Sequence, residues 1–211
     1  MNLTEMRTRI RRDLHDEDAQ NYRWSDAELD RHIERAVGEL SLSLPLEVKE
    51  TLNTTAGSRD LSLATLSDRV VVEAVEYPVG KYPPLYMRFS IWADTLTLLT
   101  ERVPGDGEDV YVYYGKLHTL DANGSTIPQA LEDVAALGAA GYAALQWSSF
   151  ATNRINVGGD QTWRYYLTWG QDRLAAFMRE LARHGRKNMV RVRQLYRPFV
   201  PPADQSTVFL P

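Results

Sequence analysis

The sequence predicts an α+β fold: a helical bundle with a long C-terminal αα-hairpin, an inserted antiparallel β-rich subdomain, and an extended C-terminal arm. Three observations lead to it. Apolar residues recur at spacings of three and four near the start of the chain and again over residues 131–181. Between these stretches, short β-branched and aromatic runs are separated by turn residues. Beyond residue 185 the helical period stops and prolines accumulate. The implied division is 1–46 for the N-terminal helices of the core, 47–120 for the β-rich insert, 121–185 for the hairpin that completes the core, and 186–211 for a basic arm.

The first helix is expected from Leu3 to Leu14, because Leu3, Met6, Ile10 and Leu14 share one face. Asn2 with Glu5 three residues on supplies its cap. After a polar link, Ser25 and Glu28 form a second capping box. Trp24 just before it is placed to staple onto Leu29. Leu29, Ile33, Ala36, Val37 and Leu40 continue that stripe until Pro45 stops the helix.

From Val48 to His118 the clearest strands are Val70 to Val75, Tyr86 to Trp92, Thr95 to Leu99 and Val110 to Tyr114. The prolines at 78, 83 and 84 place a loop or a sheet edge between two of them. Helical period then returns, with Pro128 accepted in a first turn and Leu131, Val134, Leu137, Tyr142 and Leu145 as the larger core residues. Gly138 and Gly141 would let a neighbouring helix approach closely. Gly158 and Gly159 break this helix. Trp163, Leu167, Gly170, Leu174, Phe177 and Leu181 then mark a second long stripe, antiparallel to the first.

The absence of cysteine excludes disulfides, thiolate metal sites and cysteine nucleophiles. The first fourteen residues are charged and amphipathic and do not read as a signal peptide. The most apolar stretch, Val134 to Trp147, is too short to span a bilayer, so no membrane partner is expected. Phosphate-loop, nucleophile-elbow, zinc-protease and dinucleotide signatures are missing, and no cofactor or catalytic residue is expected. His15, His32, His118 and His184 fall in separate elements without metal-ligand spacing and read as surface or packing residues. Asp13, Asp16, Glu17 and Asp18 lack the glycine and glutamate of a calcium loop and read as a solvated acidic loop. The aromatics at 111–114 and 163–169 fit a stacking platform but are accounted for as core or interface by strand and helix periodicity.

Charge is distributed unevenly. The body up to residue 185 is acidic, whereas 186–211 carries five basic residues against one acid. In this arm Arg186, Lys187, Arg191, Arg193 and Arg197 interleave with Val190, Val192, Leu195, Tyr196 and Phe199. A merely solvated tail has no need of those apolar residues. Docking on a protein surface, by strand addition or by insertion into a groove, accounts for them best. A nucleic-acid-binding module built on the basic arm is the alternative, and a hydrolase or lectin-like domain using the aromatic insert is a third.

A first helix, then Tyr22-Arg23-Trp24-Ser25-Asp26-Ala27-Glu28-Leu29 opening a second that reaches Ala36, a β-rich middle, a helical hairpin and a C-terminal arm together resemble the head-tail connector (adaptor) proteins of tailed bacteriophages and prophages. The resemblance covers most of the chain in layout and is sharpest over residues 22–40. It implies a non-enzymatic structural protein of the virion neck, assembled in the host cytoplasm. It further implies a homo-oligomeric ring, usually dodecameric, beneath the portal protein and above a downstream neck or tail protein. DNA would pass through that ring without specific binding. The resemblance assigns Trp24 and Leu29 as helix-core anchors, to which the stripes add Ile33, Trp163, Leu167, Leu174 and Phe177. Arg186 to Phe199 would be the portal-docking arm.

Overall fold

The computed structural model describes residues 1–152 and 161–195, with side chains through residue 185. In chain order the elements are α1 (Leu3–Asp13), α2 (Asp26–Ser43), β1 (Leu46–Asn53), β2 (Asp60–Ser62), β3 (Arg69–Glu76), β4 (Phe89–Trp92), β5 (Thr95–Leu98), β6 (Asp109–Lys116), α3 (Gln129–Ala151) and α4 (Thr162–Leu195). The fold is mixed α+β, as the periodicities predict.

Both predicted capping boxes form. Asn2 accepts from the Glu5 amide at 2.9 Å while the Glu5 carboxylate accepts from the Asn2 amide at 2.9 Å. Ser25 and Glu28 repeat the exchange at 3.3 and 2.8 Å. Each box satisfies two amides that the first turn leaves without helical partners, and such a cap contributes about 1 kcal/mol. Trp24 and Leu29, on either side of the second box, are both buried. Helix α2 ends at Ser43, two residues before Pro45.

The strands form two three-stranded sheets, ordered β1-β6-β3 and β2-β5-β4. In the second, β5 pairs antiparallel with both neighbours, Leu96 lying opposite Leu61 on one side and Ile91 on the other. Two strands were not foreseen. β1 carries three charged residues and is at most half-buried, so it shows no apolar run. β2 is three residues long, with only Leu61 turned inward. The strand expected over Tyr86 to Trp92 is shorter, and Tyr86 makes an isolated bridge to Glu76.

The chain forms two compact units, and β1, β3 and β6 each contribute to both. The first holds Met1–Val48, Leu66–Val71 and the chain from Tyr114 through α4 as far as Arg186. Its core gathers Met6, Ile10, Trp24, Leu29, Ile33, Leu40 and Phe177 around α3. Helix α3 differs from expectation in which side chains it buries. Ala135, Ala136, Ala139, Ala140, Ala143 and Ala144 are buried, while Leu131, Val134, Leu137 and Leu145 are half-buried. Because helices surround it, the face with the smallest side chains lies deepest.

Close approach explains the glycines. A Cβ at Gly138 would lie 2.9 Å from the Phe177 ring, and one at Gly141 would lie 2.9 Å from Leu174 and 3.2 Å from the Gly170 carbonyl oxygen. Helices α3 and α4 therefore touch nearly backbone to backbone. The second unit comprises Lys49–Thr65 and Val72–Tyr113 in its β part. It buries Leu61, Leu63, Val75, Leu96, Leu98, Val110 and Val112.

The largest departure concerns the arm. Residues 186–195 do not start an extended segment, because α4 runs on through Leu195. Val190 and Val192 alternate with arginines, which reads as strand, but β-branching lowers helix propensity only slightly and the neighbouring Arg, Lys, Met, Gln and Leu favour helix. The first proline after Gly185 is Pro198, and nothing before it forces a stop. The extended remainder expected beyond residue 195, and the break at Gly158 and Gly159, lie outside the described residues.

Candidate assembly surfaces

The loop between α1 and α2 is held by a buried cation. Arg11 donates to Asp16 at 2.7 Å, to the Trp24 carbonyl at 2.9 Å and to Asp26 at 2.8 Å. Asp16 in turn accepts from the Arg23 amide at 2.8 Å. The Tyr22 ring lies 3.5 Å below the Arg11 guanidinium carbon. The acidic run is therefore not wholly a solvated loop: Asp16 is buried and paired, whereas Asp18 caps the local turn at Gln20 and Asn21. Among the described residues no group of three or more His, Asp or Glu could hold a metal ion. Helical period alone does not signal Arg11; the signal is an arginine ending one helix just before an acidic run.

The clamp presents Trp24 to the core. Its Nε1 donates to the Ala143 carbonyl at 3.2 Å, and its ring meets Trp147 at 5.4 Å and Tyr166 at 6.3 Å. On α2, His32 contacts Gln146 at 2.6 Å, and Gln146 reaches Glu28 at 3.4 Å. Burial pushes the His32 imidazole below its usual value. The Ser25 amide and hydroxyl hold the Glu28 carboxyl below its usual range. Arg11 does the same for Asp26 through a hydrogen bond. Tyr142 donates to both Glu39 oxygens at 2.7 Å; burial, then that carboxylate, push its hydroxyl up to about 12.

In the β unit, Tyr113 donates to Glu76 at 2.8 Å, and burial followed by Glu76 raises it to about 12. Tyr77 donates to Glu108, which holds the Glu108 carboxyl down. The surface of this unit carries large apolar groups: Tyr82 is 99% exposed and Trp92 87%.

Of the expected anchors, Trp24, Leu29, Ile33 and Phe177 are buried in one cluster, and Leu174 packs against it half-buried. Trp163 and Leu167 are half-buried. Of the expected docking residues, Arg186, Lys187, Val190, Arg191, Val192, Arg193 and Leu195 lie in the last turns of α4. Tyr196, Arg197 and Phe199 lie outside the described residues. Tyr165, among the aromatics read as core or interface, is 73% exposed and lies with Arg23 and Arg173 at a cleft of about 370 Å³.

A second groove, of about 430 Å³, runs along α2 where it faces residues 117–121. Ile33 and Val37 line it, Gly38 leaves it open, and Leu117 and Leu120 form its other wall. Asp30, Glu34 and Asp121 stand around it. Its far wall is pinned to α2 by His118, whose backbone amide donates to Ser41 at 3.0 Å and whose ring nitrogens contact the Leu44 and Thr126 carbonyls at 3.0 Å. No helix among the described residues is long and apolar enough to cross a membrane.

Comparison with known proteins places these surfaces in context. Among solved structures, one similar chain comes from the neck of an empty GTA particle computed with C6 symmetry. It shares 14% identity over 80% of this chain and 88% of its own length, with a TM-score of 0.29. A likeness at that level supports no inference about this chain. A search of curated proteins gives no match. The model of the SU10 adaptor protein family matches residues 1–195, which bears out the adaptor resemblance carried by the second helix opening. The chain belongs to the SU10 adaptor protein family.

Proposed function

We propose that the chain is a head-tail connector of a tailed bacteriophage or prophage. It forms a ring beneath the portal, links capsid to tail and surrounds the DNA channel. The observation that carries this reading is the adaptor-family match over residues 1–195. In this reading residues 1–46 and 121–185 are the helical core, 47–120 the β-rich insert, and α3 with α4 an antiparallel hairpin. The ring is dodecameric, lies in the virion neck and is assembled in the host cytoplasm. The role is structural, without catalysis or cofactor.

The arm from Arg186 onward docks on the portal. Because α4 continues to Leu195, its first part enters as a helix in a groove and not as an added strand. A ring repeats one modest contact many times, so each arm can bind weakly while avidity holds the assembly. The acidic body repels the phosphate backbone and lets DNA pass without adhering.

Native mass spectrometry of the chain with a portal tests the reading. A dodecameric ring on the portal is expected, and its loss on deletion of residues 186–211. A chain that joins no portal and binds DNA with a steep salt dependence would instead establish the nucleic-acid alternative.

A further inference from the structure

We propose that neighbouring copies meet face to groove: the exposed face of α4 around Met178 packs into the α2 groove of the next copy. This inference rests on the ring reading and names the surfaces that close it.

Among the described residues, α4 exposes a face and α2 borders an open groove, and the two differ in charge. On α4, Ala175, Met178, Arg179 and Ala182 are exposed at spacings of three and four, which places them on one face. Met178, 47% exposed, is the one large apolar side chain between two alanines, so the face presents a single knob. Arg179 beside it has no ion-pair partner among the described residues. On α2, Gly38 has nothing within 4 Å of where a Cβ would stand, and the groove beside it is apolar at its floor. Glu34 on its rim is exposed and, among the described residues, also lacks a partner.

A knob flanked by a free cation fits a hole rimmed by a free anion. Close helix packing needs a small residue opposite a large one, and Gly38 opposite Met178 supplies that pair. Each face is exposed in the chain that carries it, so the two do not cover one another within one copy. They are different surfaces, so the contact between copies is heterologous. A heterologous contact repeated by a rotation that closes gives a ring, whereas a self-complementary patch stops at a dimer.

The chain has no cysteine, so introduced thiols report contacts without background. The full chain carrying both Gly38→Cys and Met178→Cys is assembled with portal, oxidised mildly and run without reductant. A ladder of covalent multimers is expected from the double variant. Monomer alone is expected from either single variant. A dimer from a single variant shows a self-complementary contact and overturns the proposal. A ring visible by native mass spectrometry without the ladder overturns the face assignment and leaves the connector reading standing. Absence of any ring removes both.

Charge reversal gives an independent readout. Glu34→Arg and Arg179→Glu singly are each expected to weaken the contact about fivefold, and the two together to restore it. Failure of the pair to rescue, with both single variants folded, also overturns the assignment.

Discussion

Around α3 the helical unit buries alanines and glycines, whereas the β unit buries leucines and valines and leaves Tyr82 and Trp92 to solvent. The difference lies in what each core is built to exclude. In the helical unit, backbones nearly touch at Gly141 and Gly170 and the Phe177 ring packs on Gly138, so stability comes from close contact and there is no room for an added methyl group. In the β unit the inward side chains are larger, and the outward surface exposes Tyr82 and Trp92. The helical unit also holds a buried ion pair, Arg11 with Asp16, which ties a loop to the core and leaves little freedom to rearrange.

The contrast is broken most directly by truncating one core at a time. Trp24→Ala removes a buried ring and its bond to the Ala143 carbonyl, and is expected to cost about 3–5 kcal/mol in denaturant unfolding. Leu96→Ala in the β unit is expected to cost about 2–4 kcal/mol. Hydrogen exchange then sharpens the comparison. Loss of protection confined to residues 49–65 and 72–113 in Leu96→Ala would show that the units open separately, and loss spread over α3 would show one cooperative block.

Adding atoms has the opposite pattern. Gly141→Ala places a methyl group 2.9 Å from Leu174 and 3.2 Å from a backbone oxygen, and a cost of about 1–3 kcal/mol is expected. Thermal unfolding measures it. An unchanged melting temperature would mean that α3 and α4 separate more easily than their contacts suggest.

Both units hold a tyrosine raised to about 12 by burial and a carboxylate, Tyr142 with Glu39 and Tyr113 with Glu76. A raised folded value makes this contribution complete below the unfolded value of about 10 and lost as pH climbs toward 12. Spectroscopic titration should show late-ionising tyrosines, and Tyr142→Phe and Tyr113→Phe should each remove one of them. On the acid side only the helical unit offers a buried histidine with a lowered value, His32. Its contribution is complete above about pH 6.5 and is lost as pH falls through its folded value. His32→Gln should flatten that slope. The smallest effect is expected from Trp92→Ser, within about 0.5 kcal/mol in stability, because the ring lies almost wholly in water. A larger loss would show that Trp92 belongs to the β core.

Much of the helical unit was legible before any coordinates. Two capping boxes, a tryptophan staple and apolar spacing of three and four located α1 and α2 to within a residue or two. These signals are local: each involves residues within one turn of one another. The adaptor resemblance covered most of the chain in layout, was sharpest over residues 22–40, and is borne out by the family match. β1 and β2 escaped notice because a strand without an inward apolar run has no signature in its own residues. The arm was misread for a related reason. Val190-Arg191-Val192-Arg193 carries a two-residue period, and a four-residue window cannot say whether the helix before it has already been extended into it.

What the sequence determined by itself was where α1 and α2 begin, which of their stripes face inward, that thiol chemistry is excluded, and that charge is divided between body and arm. Each follows from covalent structure and nearest neighbours along the chain. Only the tertiary structure decided that Arg11 is buried against Asp16, that the small face of α3 is the deep one, and that, among the described residues, α4 keeps an exposed face and α2 borders an open groove. Those depend on which distant segments arrive at the same place, and burial is set by what surrounds a side chain rather than by what precedes it.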